Sequence, residues 1–342
     1  MRDCLYKLAT DEYRGFWAAL VKVFLFILSL VYGLIIRSLI FLGRLKPCRL
    51  SCRVISVGNI TLGGTGKTVL VELIARYLKA QGQKVAILSR GYKKADEPLM
   101  LKRRLEGIPV IVDQNRIRGA KKALSEYAVD TVILGDGLQQ WRIEKDLEIA
   151  TIDSTDPFGN RNMLPRGILR EPLSSLKRVD MFILTKVNFN PDVEDIKSLL
   201  AEINPDAGIF ESEHLAAGFY EIKAADKMLS PDAFKGKNAT LFCGIADPES
   251  FENLIISLGI KIDASFKFPD HHNYTKEGLD KIIRDSKNKK SEIVITTEKD
   301  AARLGQLGLE ASASEIFVLR IELKFRKDEE RFLARLARIY QL

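Results

Sequence analysis

Gly63-Gly64-Thr65-Gly66-Lys67-Thr68 stands between an apolar run at residues 54–57 and a helical pattern over residues 69–78. Strand, glycine-rich loop and helix in that order suit a chain of phosphates. Glycines 63, 64 and 66 let backbone N–H groups turn toward anionic oxygens, and the following helix points the positive end of its dipole at the same place. Lys67 is spaced to reach β and γ phosphates, and Thr68 to ligate magnesium. The usual pattern begins with Gly, where this chain has Thr61. The alternative is a glycine-rich turn ending in Gly-Lys-Thr by chance; it gives the matching flanks no role.

Other ionisable residues sit where strands should end. Gly135-Asp136-Gly137-Leu138-Gln139-Gln140 follows the apolar run at 131–134. A carboxylate there is where a phosphate-loop protein holds magnesium, so Asp136 is the metal candidate, with an ordinary Asp-Gly turn as the alternative. Thr185-Lys186-Val187-Asn188 has the order of a guanine-reading motif. Asn188 lacks the carboxylate that would accept both guanine N–H groups, which favours ATP over GTP. Asp96-Glu97-Pro98 reads as an extended loop that places two carboxylates near the C-terminal edge of the sheet, where α/β proteins bind ligands. Phe268-Pro269-Asp270-His271-His272-Asn273-Tyr274 holds two of the three histidines. On composition alone either loop could be ordinary surface.

The elements that must position these groups follow from length and pattern. A chain of 342 residues accommodates two domains. Its net charge is +8, and the first 53 residues alone carry nine Lys and Arg against three acids, an excess of six. The basic character is local, so a nucleic-acid partner is not expected. Four cysteines at 4, 48, 52 and 243 form no Cys-x-x-Cys pair and with three histidines give no zinc pattern; they read as thiols of a reducing compartment.

From Phe16 to Leu42 the chain is strongly apolar, interrupted by Lys22 and Arg37. The 14 residues between those charges rise about 22 Å on a helix, short of a bilayer core of roughly 30 Å. Gly15, Ala18, Lys22, Ser29, Gly33, Arg37 and Arg44 share one sector, a narrow basic stripe on a wide apolar helix. The reading is a helix lying on or in an anionic membrane, with a spanning anchor and a buried soluble helix as alternatives. Basic residues on its C-terminal side place the rest of the chain in the cytoplasm, at the inner face of the membrane.

Apolar runs at 54–57, 85–88, 131–134, 147–152 and 181–184 alternate with helical or loop segments, which predicts a parallel sheet covered on both faces. The pattern changes over 211–231 and resumes at 239–243, 292–296 and 316–320 before a final helix near 328–340. The expected organisation is a membrane-associated helix over 1–45, a phosphate-loop domain over 46–210, a linker or β-ribbon over 211–235, and a second α/β domain over 236–342.

Together these stretches resemble the tetraacyldisaccharide 4'-kinases, the lipid A 4'-kinases of Gram-negative envelopes. The resemblance is carried by Val57-Gly58-Asn59-Ile60-Thr61 with the glycine-rich loop, Ser89-Arg90-Gly91-Tyr92, Asp96-Glu97-Pro98, Asp136-Gly137-Leu138-Gln139, Leu169-Arg170-Glu171-Pro172, Asp270-His271-His272 and Thr296-Thr297-Glu298-Lys299-Asp300. It implies two α/β/α sandwich domains, the first like phosphate-loop NTPases, and a membrane-associated N-terminal helix. It also implies ATP- and Mg2+-dependent phosphorylation of the 4'-hydroxyl of a lipid A disaccharide 1-phosphate. By the same resemblance Asp96 is the catalytic base, His271 its partner across the interdomain cleft, and Arg170, Gln139 and Glu97 line the substrate site. Gly135, Leu138 and Gln140 depart from the family's usual Asp, Phe and His, and Lys93-Lys94-Ala95 stands where glycines are usual. Two other classes share parts of this pattern. Switch ATPases or GTPases of the partitioning or metal-insertion kind commonly carry Lys before the Gly-Gly, where this chain has Leu62. A nucleotide-gated membrane adaptor would leave Asp96 and His271 without a role.

Overall fold

Aliphatic and β-branched runs without polar alternation form strands that are buried along their whole length. The computed structural model describes Leu8, Thr10, Asp11, Tyr13 and residues 15–91, 96–308 and 316–341. Tyr92 and Lys93-Lys94-Ala95, which entered the resemblance, lie outside the described residues. In chain order the elements are α1 (Phe16–Leu45), β1 (Arg53–Gly58), α2 (Lys67–Ala80), β2 (Val85–Ser89), α3 (Asp96–Arg104), β3 (Val110–Val112), α4 (Arg116–Tyr127), β4 (Thr131–Gly135), β5 (Leu147–Asp153), β6 (Met181–Thr185), α5 (Glu194–Ile203), β7 (Gly208–Glu221), β8 (Ala224–Leu229), β9 (Asn238–Cys243), α6 (Pro248–Ser257), β10 (Lys261–Lys267), α7 (Lys276–Asn288), β11 (Ile293–Thr297), α8 (Glu298–Gln306), β12 (Ile316–Phe325) and α9 (Glu329–Ala337).

Contacts divide the chain into two compact units, neither of them contiguous: 1–90, 107–213 and 325–342 form the first, 91–106 and 214–324 the second. The first unit is built on a parallel sheet in the order β7-β6-β5-β1-β4-β2-β3. Ile55, Ile133, Ile149 and Phe182 of its inner strands are wholly buried. Each such side chain contributes roughly 1.5–3 kcal/mol by leaving water. β1 lies between β5 and β4, so the chain leaves its C-terminal end at the point where strand order reverses, and open α/β sheets bind ligands there. Tight packing at that end excludes side chains at two positions: a Cβ at Gly58 would lie 2.5 Å from Leu138 Cβ, and one at Gly137 would lie 2.6 Å from Ser56 Oγ.

In the second unit β10, β9, β11 and β12 are parallel neighbours. Phe242, Leu279, Leu304 and Val318 lie in the core beside them. β8 pairs antiparallel with the end of β7, in the stretch whose changed pattern suggested a linker or ribbon.

One reading from the sequence changes here. Asp96-Glu97-Pro98 is not an extended loop but the first turn of α3. A proline is tolerated in a first turn, where its missing N–H has no intrahelical partner. In α1 the buried residues are Leu25, Ser29, Gly33 and Ile36, so Ser29 and Gly33 of the narrow sector pack against the protein. A Cβ at Gly33 would lie 3.3 Å from Met163 Sδ, and one at Gly43 would lie 2.9 Å from Trp141 Cβ. Tyr32 donates its hydroxyl to the Arg170 carbonyl at 3.0 Å. Lys22 is neutralised by Asp11 at 2.6 Å. The outward face is largely apolar, with Trp17, Phe24, Leu30, Leu34 and Phe41 among its exposed residues, and Arg37 and Arg44 of the basic stripe are exposed as well. Of the described residues, this helix alone is long and apolar enough to cross a membrane.

Candidate active site

The glycine-rich loop connects β1 to α2 as its composition requires. Gly63 and Gly66 take φ of 118° and 77°, a region that side chains with a Cβ rarely enter. Gly66 caps α2 without a side-chain hydrogen bond. The positive end of the α2 dipole thus faces the loop, where an anion is favoured. The loop is anchored rather than loose. Thr61 is buried and bridges to Leu169. Thr65 is buried with its hydroxyl 2.7 Å from that of Thr151, and its carbonyl accepts from the Thr185 hydroxyl at 3.2 Å. Gly64 lies half-buried between these anchors, and Thr68 is the second residue of α2.

Around the end of β1 four side chains converge. Lys67 donates to Asn59 Oδ1 at 2.9 Å and lies 3.8 Å from Asp136. Arg170 grips both Asp136 oxygens at 3.0 Å, the bidentate geometry a planar guanidinium favours. Arg170 also donates to the Asn59 carbonyl at 2.6 Å and to its side-chain oxygen. Partial burial works to raise the Asp136 pKa, but the charges of Arg170 and Lys67 and the Arg170 hydrogen bond outweigh it and hold the carboxyl at about 2. Asp136 sits in the left-handed region at φ 54° beside Gly137, so the chain turns sharply as it leaves β4. Gln139 donates to the Asn59 carbonyl at 3.2 Å and to Glu171 at 3.0 Å. Glu171 is fully buried and is also bound by Trp141 and Arg178. Arg116, buried at the start of α4, donates to the Gly135 carbonyl at 3.4 Å. Asn59 and Arg116 were not singled out from sequence. Asn59 sits inside a quoted motif, but its role as the hub of Lys67, Arg170 and Gln139 is a tertiary property.

A second cluster lies in the second unit. Asp96 is almost fully buried at the start of α3. Its Oδ2 meets His271 Nδ1 at 3.2 Å and accepts from Arg303 Nε at 2.9 Å and Nη2 at 2.6 Å. Burial opposes the Asp96 charge, yet these partners hold the carboxyl far below the usual range. The same hydrogen bond raises the His271 pKa, against the effects of burial and of Arg303. The expectation that His271 reaches Asp96 across two domains is corrected in one respect: residues 91–106 belong to the second unit, so the pair forms within it. Glu97, expected to face substrate, pairs with Lys299 at 2.5 Å. His272 stacks on Phe268 with centroids 4.3 Å apart.

A family model described as "Tetraacyldisaccharide-1-P 4'-kinase" matches residues 21–341. The chain belongs to the tetraacyldisaccharide 4'-kinase family. A tetraacyldisaccharide 4'-kinase of Halothermothrix orenii is 34% identical over 89% of this chain and 90% of that protein. Another, from Desulfatibacillum aliphaticivorans, is 33% identical over 94% of this chain and 92% of its own length. The crystal structure of Aquifex aeolicus LpxK in complex with ATP superimposes with a TM-score of 0.73, covering 94% of this chain and 99% of that one at 27% identity. The fold is thus the mixed α/β fold of the 4'-kinases, with a phosphate-loop first unit.

Proposed function

We propose that this chain transfers the γ-phosphate of ATP to the 4'-hydroxyl of a lipid A disaccharide 1-phosphate. The observation that carries the reading is the Lys67–Asn59–Asp136–Arg170 cluster at the N-terminus of α2, in a chain of the 4'-kinase family. The relative from Aquifex aeolicus was crystallised with ATP, which supports ATP as the donor. Phosphoryl transfer needs positioning and neutralisation of charge more than covalent help. Lys67 and the N–H groups of residues 63–68, after Thr61, hold the phosphates. Arg170, Gln139 and Glu97 serve the acceptor. Asp96, kept ionised, accepts the sugar hydroxyl's proton while His271 orients and balances it.

Magnesium fits the residues beside the loop. One carboxylate, Asp136, and one hydroxyl, Thr68, are hard oxygen donors of the kind that share Mg2+ with phosphate oxygens and water. No cluster of three or more His, Cys, Asp or Glu forms a complete cage among the described residues, and a phosphate-bound ion does not require one. Bound there, the ion supplies neutralisation of phosphate charge. Gly135 leaves a thinner acidic shell, with only the Leu88 carbonyl within 4 Å of where a Cβ would stand.

The outward apolar face of α1 fits a helix held in an anionic membrane surface at its cytoplasmic side, with the lipid's acyl chains beside it. Leu62, exposed before Gly63, gives the switch-ATPase reading no support. The test is incubation with labelled ATP and a lipid A disaccharide 1-phosphate, followed by product separation. Label must appear at the 4' position, and its absence alongside intact ATP binding would refute the assignment.

A further inference from the structure

Arg303 belongs to none of the family motifs in this sequence, yet it is among the most deeply buried large side chains, at 2% exposure. A cation in that position is tolerated only when every donor is answered. Nε and Nη2 meet Asp96 Oδ2, while Nη1 donates to the Gly244 carbonyl at 2.6 Å and to Asp300 Oδ1 at 2.8 Å. Asp300 is itself fixed: it accepts from the Tyr274 hydroxyl at 2.8 Å, the Thr297 hydroxyl at 2.6 Å and the Gly244 amide at 3.0 Å. The guanidinium fork thus points from a rigid base at one oxygen of Asp96.

The other oxygen is held more lightly. Asp96 Oδ1 accepts from the Glu97 amide at 3.0 Å. With Oδ2 carrying three donors, the carboxylate cannot rotate about its bond to Cβ without breaking charge-assisted bonds. We propose that Arg303 is the positioning residue of the Asp96–His271 pair, locking the carboxylate by its Oδ2 edge so that the substrate hydroxyl meets it in one orientation. The proposal rests on the reading of Asp96 as the proton acceptor.

Joining α3 to α8 does not by itself require Arg303. Arg104 pairs with Glu298, and Lys299 with Glu97, between the same two helices. What Arg303 adds is contact with the reacting carboxylate. Its charge also reaches His271, lying 3.5 Å from Nδ1. Among the described residues, the charged and titratable groups around Asp96 are Glu97 on α3, Asp270, His271 and Tyr274 on the loop after β10, and Lys299, Asp300 and Arg303 on α8. Asp96 raises the His271 pKa while Arg303 lowers it, so the two partners have opposite effects on one observable.

The test uses the full-length chain with Arg303→Gln, Arg303→Lys, the control Arg104→Gln and Asp96→Asn. kcat, lipid KM and the His271 titration by NMR are measured; the chain has only three histidines to resolve. Arg303→Gln should lower kcat by about 10-fold to 100-fold with lipid KM nearly unchanged, since misplacing a catalytic group by about 1 Å costs up to that much. Its His271 should titrate higher than in the native chain, because Asp96 remains and the opposing cation is gone. Arg303→Lys should recover part of kcat and return His271 toward its native titration. Arg104→Gln should alter neither kcat nor the His271 titration.

A native kcat in Arg303→Gln, or a His271 that falls back to its ordinary value because the pair has come apart, would overturn the proposal. If Arg303→Gln does not fold, Arg303→Lys carries the test, and native kcat and His271 titration in that variant would overturn it. Near-native turnover in Asp96→Asn would sink the reading of Asp96 itself, whatever Arg303 does.

Discussion

Lys67→Ala separates a phosphate site from a chance loop. Lys67 is 17% exposed and lies 3.8 Å from Asp136, itself 42% exposed. A unit-charge pair at that distance interacts by roughly 4 kcal/mol at an effective dielectric of about 20, and the exposure of Asp136 reduces this through screening. The charge that builds on the transferring phosphoryl group should be held by Lys67 with similar strength, about 3–4 kcal/mol, as for other preorganised donors. This corresponds to a loss in kcat of roughly 10²- to 10³-fold. The fold should survive, since Asn59 keeps its bonds to Arg170 and Thr61 when Lys67 is removed. The assay is transfer of labelled phosphate to the lipid at saturating ATP, with thermal melting as the check on folding. Turnover within a few-fold of native would refute the assignment of Lys67 and with it the phosphate-loop mechanism.

The acid–base pair predicts non-additivity: Asp96→Asn and His271→Ala should each lower kcat by about 10²- to 10⁴-fold, and the double variant should lose little more than the worse single one. Fully additive losses would show that the two act separately. Trp17→Glu combined with Phe24→Glu, on the exposed face of α1, should abolish flotation with anionic vesicles while ATP binding is kept; unchanged flotation would remove the membrane reading. His271 gains its proton more readily in the folded state than its ordinary 6.5, so the stabilisation it brings is complete below that pH and is lost as pH rises through the folded-state value. The melting-temperature advantage of the native chain over His271→Gln should therefore shrink between pH 6 and pH 9, and an advantage that grows with pH would contradict the pairing.

Much of the first unit was legible because its strands are apolar throughout and its loop needs glycine at fixed positions. β10 was not, since Lys261-Ile262-Asp263-Ala264-Ser265-Phe266-Lys267 forms an edge strand with exposed charges rather than an apolar run. β3 is only three residues long. Pro98 was misread because proline marks both an extended loop and a helical first turn, and only tertiary contacts decide between them. The grouping of residues 91–106 with a unit that resumes at 214 cannot be seen in a linear pattern. For the site, Asp96, His271, Lys67, Asp136 and Arg170 stand out as motif members. Arg303 shows in sequence only as a cation three residues after Asp300 on a helix, and its bond to Asp96, 207 positions earlier, exists only in the folded chain.

The contact between Tyr32 and the Arg170 carbonyl acts as a ruler. Residues 32 and 33 of α1 rest on the segment that carries the Arg170 clamp, which ties the height of the clamp to that of the helix. If the bilayer sets how deep the helix rides and Arg170 serves the acceptor as proposed, it also sets the level at which an acceptor sugar is met. A lipid whose headgroup stands a few ångströms too high or too low would then be discriminated against by elevation, before any contact with its sugar is made.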